Sequence, residues 1–350
     1  MIHFKRTFIA CLGFLTLAVL LYPGVKSLQV LMEEEYIIKE KGLLLNGEYI
    51  ESLTNLFENN ISLQKGALSF WSGLKYHLFR EGNQGVLIGE ENWLFTSEEF
   101  DEELEPAVSY IDFFREVERI KAFFDNVGLT LIIVPIPSKS RVYKEKIRRF
   151  PYSSTLENRY EDALFRFREM GIPYIDLKKV FHERAPEELY YYQFDTHWTE
   201  RGASRAAREV AAVLDSRNVI LSFPKRSFYI AEKERKTFRG DLLAYVPPLK
   251  DKEETYNQKV LIDADPPSLG LFDDPVIPIL LVGTSYSFDS RWNFETELKL
   301  ALQLDVLNLA KEGVGPMEPM KELMESEYYR ETGSAVVIWE IPERYIPLRQ

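Results

Sequence analysis

The sequence has a single cysteine, Cys11, and it falls inside an N-terminal apolar run, so the rest of the chain can form neither an internal disulfide nor a thiolate zinc site. Histidine is nearly as scarce. There are four in 350 residues, and His3 precedes the apolar run, which leaves little material for a histidine-rich metal centre. No H-E-x-x-H string and no P-loop is present. Positive charge is short as well: 43 Lys and Arg against 55 Asp and Glu give a formal charge of −12, which repels nucleic acid and offers no general attraction for anionic lipid. Internal repeats and low-complexity tracts are absent. What remains is a 45% apolar chain, enough for a sizeable core in one large domain with an accessory segment, or in two modest domains.

Charge is missing altogether from residues 7 to 25, TFIACLGFLTLAVLLYPGV, which follow Lys5 and Arg6. A run of that length spans a bilayer as a helix, with the basic flank kept in the cytoplasm and the remainder exported. No A-x-A cleavage site follows it, so residues 1–26 read as an uncleaved signal anchor, with cleavage near Lys26 as the rival. Residues 27–83 place apolar positions three and four apart among charges and read as a helical juxtamembrane stalk, in which His77 is structural.

From 84 to 350 the pattern becomes that of an α/β domain. GVLIGEENWLF predicts two short strands around a Gly-Glu-Glu-Asn turn. Beyond Asp101 the chain alternates, with helices over 107–126, 156–170, 199–214, 293–303 and 316–325. Between them lie the strands LTLIIVPI, PYIDL, VIPILLVG, DVLNL and AVVIWEI. Apolar strands separated by amphipathic helices imply a mainly parallel sheet covered on both faces, with binding sites at the carboxyl ends of its strands. Residues 224–275, rich in charge and proline, read as an inserted loop region.

Two strings carry chemistry. In FDTHWTERGA, an extended Asp195-Thr196-His197 would project its first and third side chains to one side and bring a carboxylate to the imidazole. That is the orienting half of a catalytic triad, although a surface histidine paired with a nearby acid has the same pattern. Thr199 is placed to cap the following helix, whose buried stripe is Ala203, Ala206, Val210 and Val213. In PVIPILLVGTSYSF, a buried strand runs into Gly283-Thr284-Ser285, and the glycine permits a sharp turn that lifts Ser285 above the sheet. Amides at such a turn stabilise an oxyanion, and a capping serine fits the string equally well. Strand ends on one sheet can bring Ser285 and His197 together with Asp195 behind, in the chain order Asp, His, Ser.

With GVLIGEENWLF, IIVPIPSKSRVY, GIPYIDL, FRGDLL, DVLNLAKEGVG and VVIWEIPERY in the same order over residues 84 to 347, the DTHW and GTSYS strings resemble the AlgJ and AlgX family of alginate O-acetyltransferases. The resemblance implies an SGNH-hydrolase-like three-layer α/β fold with a mainly parallel central sheet, and Asp195, His197 and Ser285 as the triad. Standard SGNH enzymes have Gly-Asp-Ser at the nucleophile and Asp-x-x-His near the C-terminus. This chain has Gly-Thr-Ser and an upstream Asp-x-His, as the alginate proteins do. Its end soon after WEIPERY implies the AlgJ layout, without the C-terminal carbohydrate-binding module of AlgX. The expected reaction is ping-pong acetyl transfer to a polysaccharide at the periplasmic side of the inner membrane, with no metal or tightly held cofactor. The acetyl donor is expected from a multispanning membrane partner of the MBOAT family. An acetyl esterase and a non-catalytic scaffold of an export complex are the alternatives. Among supporting residues, Asn293 is expected as an oxyanion donor or helix cap, Tyr286 in the acyl pocket or the core, and Lys139 and Tyr143 as cleft lining or part of a solvated loop. Trp339, Glu340 and Arg344 are expected to form a structural ion pair beside the cleft, and Asp241 to be a turn residue.

Overall fold

The computed structural model describes residues 62–102, 108–183, 188–266 and 276–349. The apolar run at 7–25, and the anchor expected there, lie outside these residues. Among the described residues no helix is long and apolar enough to cross a membrane. The chain divides into two units, residues 1–80 and 81–350. Helix α1 (Ser62–Phe79) belongs to the first, within the segment expected as a stalk.

The second unit opens with the antiparallel strands β1 (Val86–Ile88) and β2 (Leu94–Thr96), whose turn holds Glu91 and Asn92 at positive φ. Helix α2 (Tyr110–Asn126), capped by the Ser109 hydroxyl, leads into β3 (Thr130–Ile136). The short α3 (Lys139–Val142) is followed by α4 (Ser154–Glu169), α5 (Leu177–His182) and α6 (Glu200–Ser216). Thr199 caps α6 by accepting from the Gly202 amide. Strands β4 (Phe228–Phe238) and β5 (Glu254–Asp263) come next, then β6 (Ile279–Val282) and the one-turn helix α7 (Ser285–Phe288). The chain closes through α8 (Phe294–Leu302), β7 (Val306–Asn308), α9 (Met317–Glu325), α10 (Tyr328–Glu331) and β8 (Val336–Pro342).

Strands β3, β8, β6 and β7, in that order, form a wholly parallel sheet. Their runs are apolar without alternation because both faces are covered. On one face Ile132, Val134, Leu281, Val336 and Ile338 pack with Ala203, Ala206, Val210 and Leu298 of α6 and α8. On the other, Leu131, Ile133, Leu280, Val337 and Trp339 meet Phe113, Val117, Tyr160, Phe167 and Met320 of α2, α4 and α9. Each such aliphatic side chain contributes about 1.5–3 kcal/mol by leaving water, so the strand ends stand on a stiff base.

Two expected features differ. PYIDL is not a strand but a single parallel bridge, Ile133 to Tyr174, fixed by Ile133 N–H to Pro173 O at 2.9 Å and Ile175 N–H to Ile133 O at 3.1 Å. The next outward-facing amide position on β3 is Pro135, which has no N–H, and Asp176 caps α5 at once, so pairing stops. The region 224–275 is not simply loop. It holds the antiparallel ribbon β4–β5, paired from Phe228–Asp263 to Phe238–Glu254 with an irregularity between Ile230 and Glu232. Much of the ribbon is exposed on both faces, which removes the apolar alternation that marks a half-buried strand. Its connection, 239–253, carries Asp241 to the carboxyl end of the sheet.

Candidate active site

The site is built where β6 and β8 end. After Val282 the chain passes Gly283, where a side-chain carbon would lie 2.8 Å from Glu340 Cβ and overlap the Glu340 carboxylate. Only a residue without Cβ lets the turn lie against β8. Thr284 then opens α7: its carbonyl accepts from the amides of Ser287 (3.0 Å) and Phe288 (2.9 Å). Ser285 is the first helical residue, partly exposed at the sheet edge.

The second component is the loop from Tyr190 to Thr199, closed by an antiparallel bridge between Tyr191 and Trp198. Asp195-Thr196-His197 at its tip is bent, not extended as expected. Asp195 Oδ1 accepts from both the His197 amide (2.9 Å) and the imidazole Nδ1 (2.7 Å), so acid and imidazole meet through an Asx-type turn rather than through a strand pleat. The other ring nitrogen, Nε2, lies 2.8 Å from Ser285 Oγ. The imidazole is backed by Trp292, stacked at 5.0 Å, and by Tyr286, tilted at 4.8 Å.

Burial pushes the Asp195 carboxyl up, but its bonds from the His197 ring and amide and from the Asp241 amide outweigh burial and hold it below the usual carboxylate range. An ionised Asp195 accepts the Nδ1 proton, which leaves Nε2 free to accept from the Ser285 hydroxyl. Asp241 is drawn in on both sides. Its amide donates to Asp195 Oδ2 at 3.0 Å, its Oδ1 accepts from the Thr196 amide at 2.8 Å, and its Oδ2 stands 3.9 Å from His197 Nδ1. Burial, and then the negative charge of Asp195, push its carboxyl up. Asp195, His197 and Asp241 also have donor atoms close enough together to hold a cation, but here Nδ1 is committed to Asp195.

Lys139 does not line a cleft. It is 1% exposed, and its ammonium donates to the carbonyls of Leu94 (2.5 Å), Asp195 (2.9 Å) and Gln193 (3.0 Å). Burial lowers its pKa to about 8. Tyr143 is buried too, accepting from the Tyr190 amide at 2.9 Å and packing on Trp93. Asn293 gives its amide nitrogen to Asn257 O and Arg291 O, each at 3.1 Å, so that group is occupied; the residue sits at φ 59° and makes no side-chain cap. Tyr286 is buried, its hydroxyl donating to Thr196 O at 2.9 Å and its carbonyl accepting from Trp198 Nε1 at 3.1 Å. Glu340 and Arg344 do not pair: Arg344 Nε lies 3.0 Å from Glu98, whereas Glu340 accepts from Thr284 and Ser287. Asp241, expected only as a turn residue, belongs to the site, and Trp292 was not singled out in the sequence. The Gly240-Asp241 turn was visible within FRGDLL, but nothing local marked Trp292.

Comparison with known proteins identifies the family of the chain. Residues 86–343 match the family described as SGNH hydrolase-like domain, acetyltransferase AlgX. The chain is 36% identical to a probable alginate O-acetylase AlgJ of Pseudomonas aeruginosa over 324 residues, covering 87% of this chain and 81% of the relative. It is 29% identical to an alginate biosynthesis protein AlgX of Pseudomonas fluorescens, covering 74% of this chain and 56% of that protein. Among solved structures, the O-acetyltransferase domain of Pseudomonas putida AlgJ superposes with a TM-score of 0.67 at 27% identity, covering 77% of this chain and 94% of that domain. On these grounds the chain belongs to the SGNH hydrolase-like acetyltransferase family and is an O-acetyltransferase, more similar to AlgJ than to AlgX.

Proposed function

We propose that this protein acetylates hydroxyls of an exported polysaccharide, an alginate-like polyuronate, by ping-pong transfer through Ser285. The observation that carries the reading is the unbroken chain from Ser285 Oγ to His197 Nε2 at 2.8 Å and from His197 Nδ1 to Asp195 Oδ1 at 2.7 Å. In the first half-reaction Ser285 Oγ attacks the donor's acyl carbon while its proton passes to His197 Nε2, and Asp195 stabilises the imidazolium. The Ser285 amide, which has no acceptor among the described residues, is available to the oxyanion. The leaving group takes the proton from Nε2, giving acetyl-Ser285. A sugar hydroxyl then gives its proton to Nε2 and attacks the acetyl carbon, and Ser285 Oγ recovers that proton as the ester forms.

Relatives named as probable alginate O-acetylases support a polyuronate acceptor. The uncharged run at 7–25 behind Lys5 and Arg6 supports an inner-membrane anchor with the acetyltransferase unit in the periplasm. No cytoplasmic acetyl donor reaches that side, so an MBOAT-type membrane partner delivers the group. The test is to supply the enzyme with an activated acetyl ester and a mannuronate oligosaccharide. Ester-linked acetyl on the sugar is the expected product. Release of acetate alone, with the sugar unmodified, would point to an esterase.

A further inference from the structure

Glu340 is a buried carboxylate that takes no part in the triad. On β8, Val336 and Ile338 face one apolar core and Val337, Trp339 and Ile341 the other, so Glu340 continues the row of Val336 and Ile338. It is fully buried where an aliphatic side chain would serve the fold. Among the described residues no cation lies within ion-pairing distance of it: Arg344 is directed to Glu98 and Arg141 to Glu343. An unpaired buried carboxylate is costly, and an apolar replacement of similar volume is commonly neutral or stabilising. The position is therefore poorly explained by stability.

The donors that compensate it identify what it does. They are the Thr284 amide at 2.7 Å, the Thr284 hydroxyl at 3.1 Å from both oxygens, and the Ser287 hydroxyl at 3.0 Å. All belong to the turn that carries Ser285, two of them on the residue before it and one two residues beyond. Gly283 is the residue that lets the carboxylate approach this closely. Burial pushes the Glu340 carboxyl up to about 7, as expected of a carboxylate held by donors rather than by a counter-charge.

We propose that Glu340 is the positioning residue of the nucleophile, clamping Thr284 and Ser287 so that Ser285 Oγ is held on His197 Nε2. The inference rests on Ser285 being the nucleophile. In this role Ser287 is the second arm of the clamp, and the two serines of GTSYS have separate tasks.

The test uses the full protein and an activated acetyl ester, with the single-turnover rate of adduct formation followed by intact-mass spectrometry at several ester concentrations. Ser285→Ala, Ser287→Ala, Glu340→Gln and Glu340→Leu are compared, each with its melting temperature. Glu340→Leu should lower the maximal acylation rate by about 10²-fold or more without lowering the melting temperature, since misplacing the nucleophile by about 1 Å has that cost. Glu340→Gln, which keeps an acceptor for the Thr284 amide, should recover part of the rate, and Ser287→Ala should lose about tenfold. The half-saturating ester concentration should stay unchanged in all three. Acylation of folded Glu340→Leu within about threefold of wild type overturns the proposal. If that variant does not fold, wild-type rates in both Glu340→Gln and Ser287→Ala overturn it. Undiminished labelling of Ser285→Ala would instead remove the nucleophile assignment on which the proposal stands.

Discussion

At the scale of single residues, the site depends on buried polar groups whose hydrogen bonds are made by other parts of the site. Lys139 serves three carbonyls, two of them within the Asp-x-His loop, and Tyr286 serves a third carbonyl of that loop. Lys139 follows the end of β3, which is why cleft lining was expected of it, and lysine is almost never fully buried. Nothing in a linear string signals that its ammonium has carbonyls waiting on β2 and the 193–195 loop. Ser287, two positions beyond the nucleophile, likewise donates its hydroxyl to Glu340, a contact that no local string marks. The Glu340 carboxyl titrates near 7 when folded, against 4.5 as the ordinary value. Between those pH values the folded protein binds a proton that the unfolded chain has released, so this group's contribution to stability falls as pH rises through the window. Tyr286 and Arg344 also act on this carboxyl, but neither changes charge there. Glu340→Gln has no such titration. Its melting temperature relative to wild type should therefore climb from about pH 5 to about pH 8, by an amount equivalent to a few kcal/mol at most. Calorimetry across that range checks it, and a difference independent of pH would contradict it.

At the scale of elements, the turn from Gly283 to Ser287 has little room for change. Gly283→Ala must force the new carbon against the Glu340 side chain, which lies on a central strand and cannot withdraw. Acyl-adduct formation should fall by about 10²-fold while far-ultraviolet circular dichroism stays native, because the displacement falls on the nucleophile turn and not on the sheet. Wild-type acylation by Gly283→Ala would show that the contact is not restrictive. The strands themselves were legible in the sequence, since β3, β6 and β8 are buried on both faces and read as continuous apolar runs. The ribbon β4–β5 was not, because its many exposed, charged positions hide the strand period. The pairing of Asp195 with His197 was anticipated for a reason that the structure replaces. The residues meet through a bent loop whose backbone is held by Lys139, Tyr286, Asp241 and Glu254, all remote in sequence.

At the scale of the whole molecule, residues 81–350 carry the sheet, both apolar cores and every group of the site. That unit, expressed alone, should fold cooperatively. It is also the simplest material for the decisive measurement: exposure to an activated acetyl ester, followed by intact-mass spectrometry and peptide mapping. The account predicts one acetyl group per chain on Ser285, none with Ser285→Ala, and formation slowed about 10⁴-fold by Asp195→Asn, as in serine proteases where the wrong tautomer is favoured. An acetyl group that persists in Ser285→Ala, or that maps to another residue in the wild type, would contradict it.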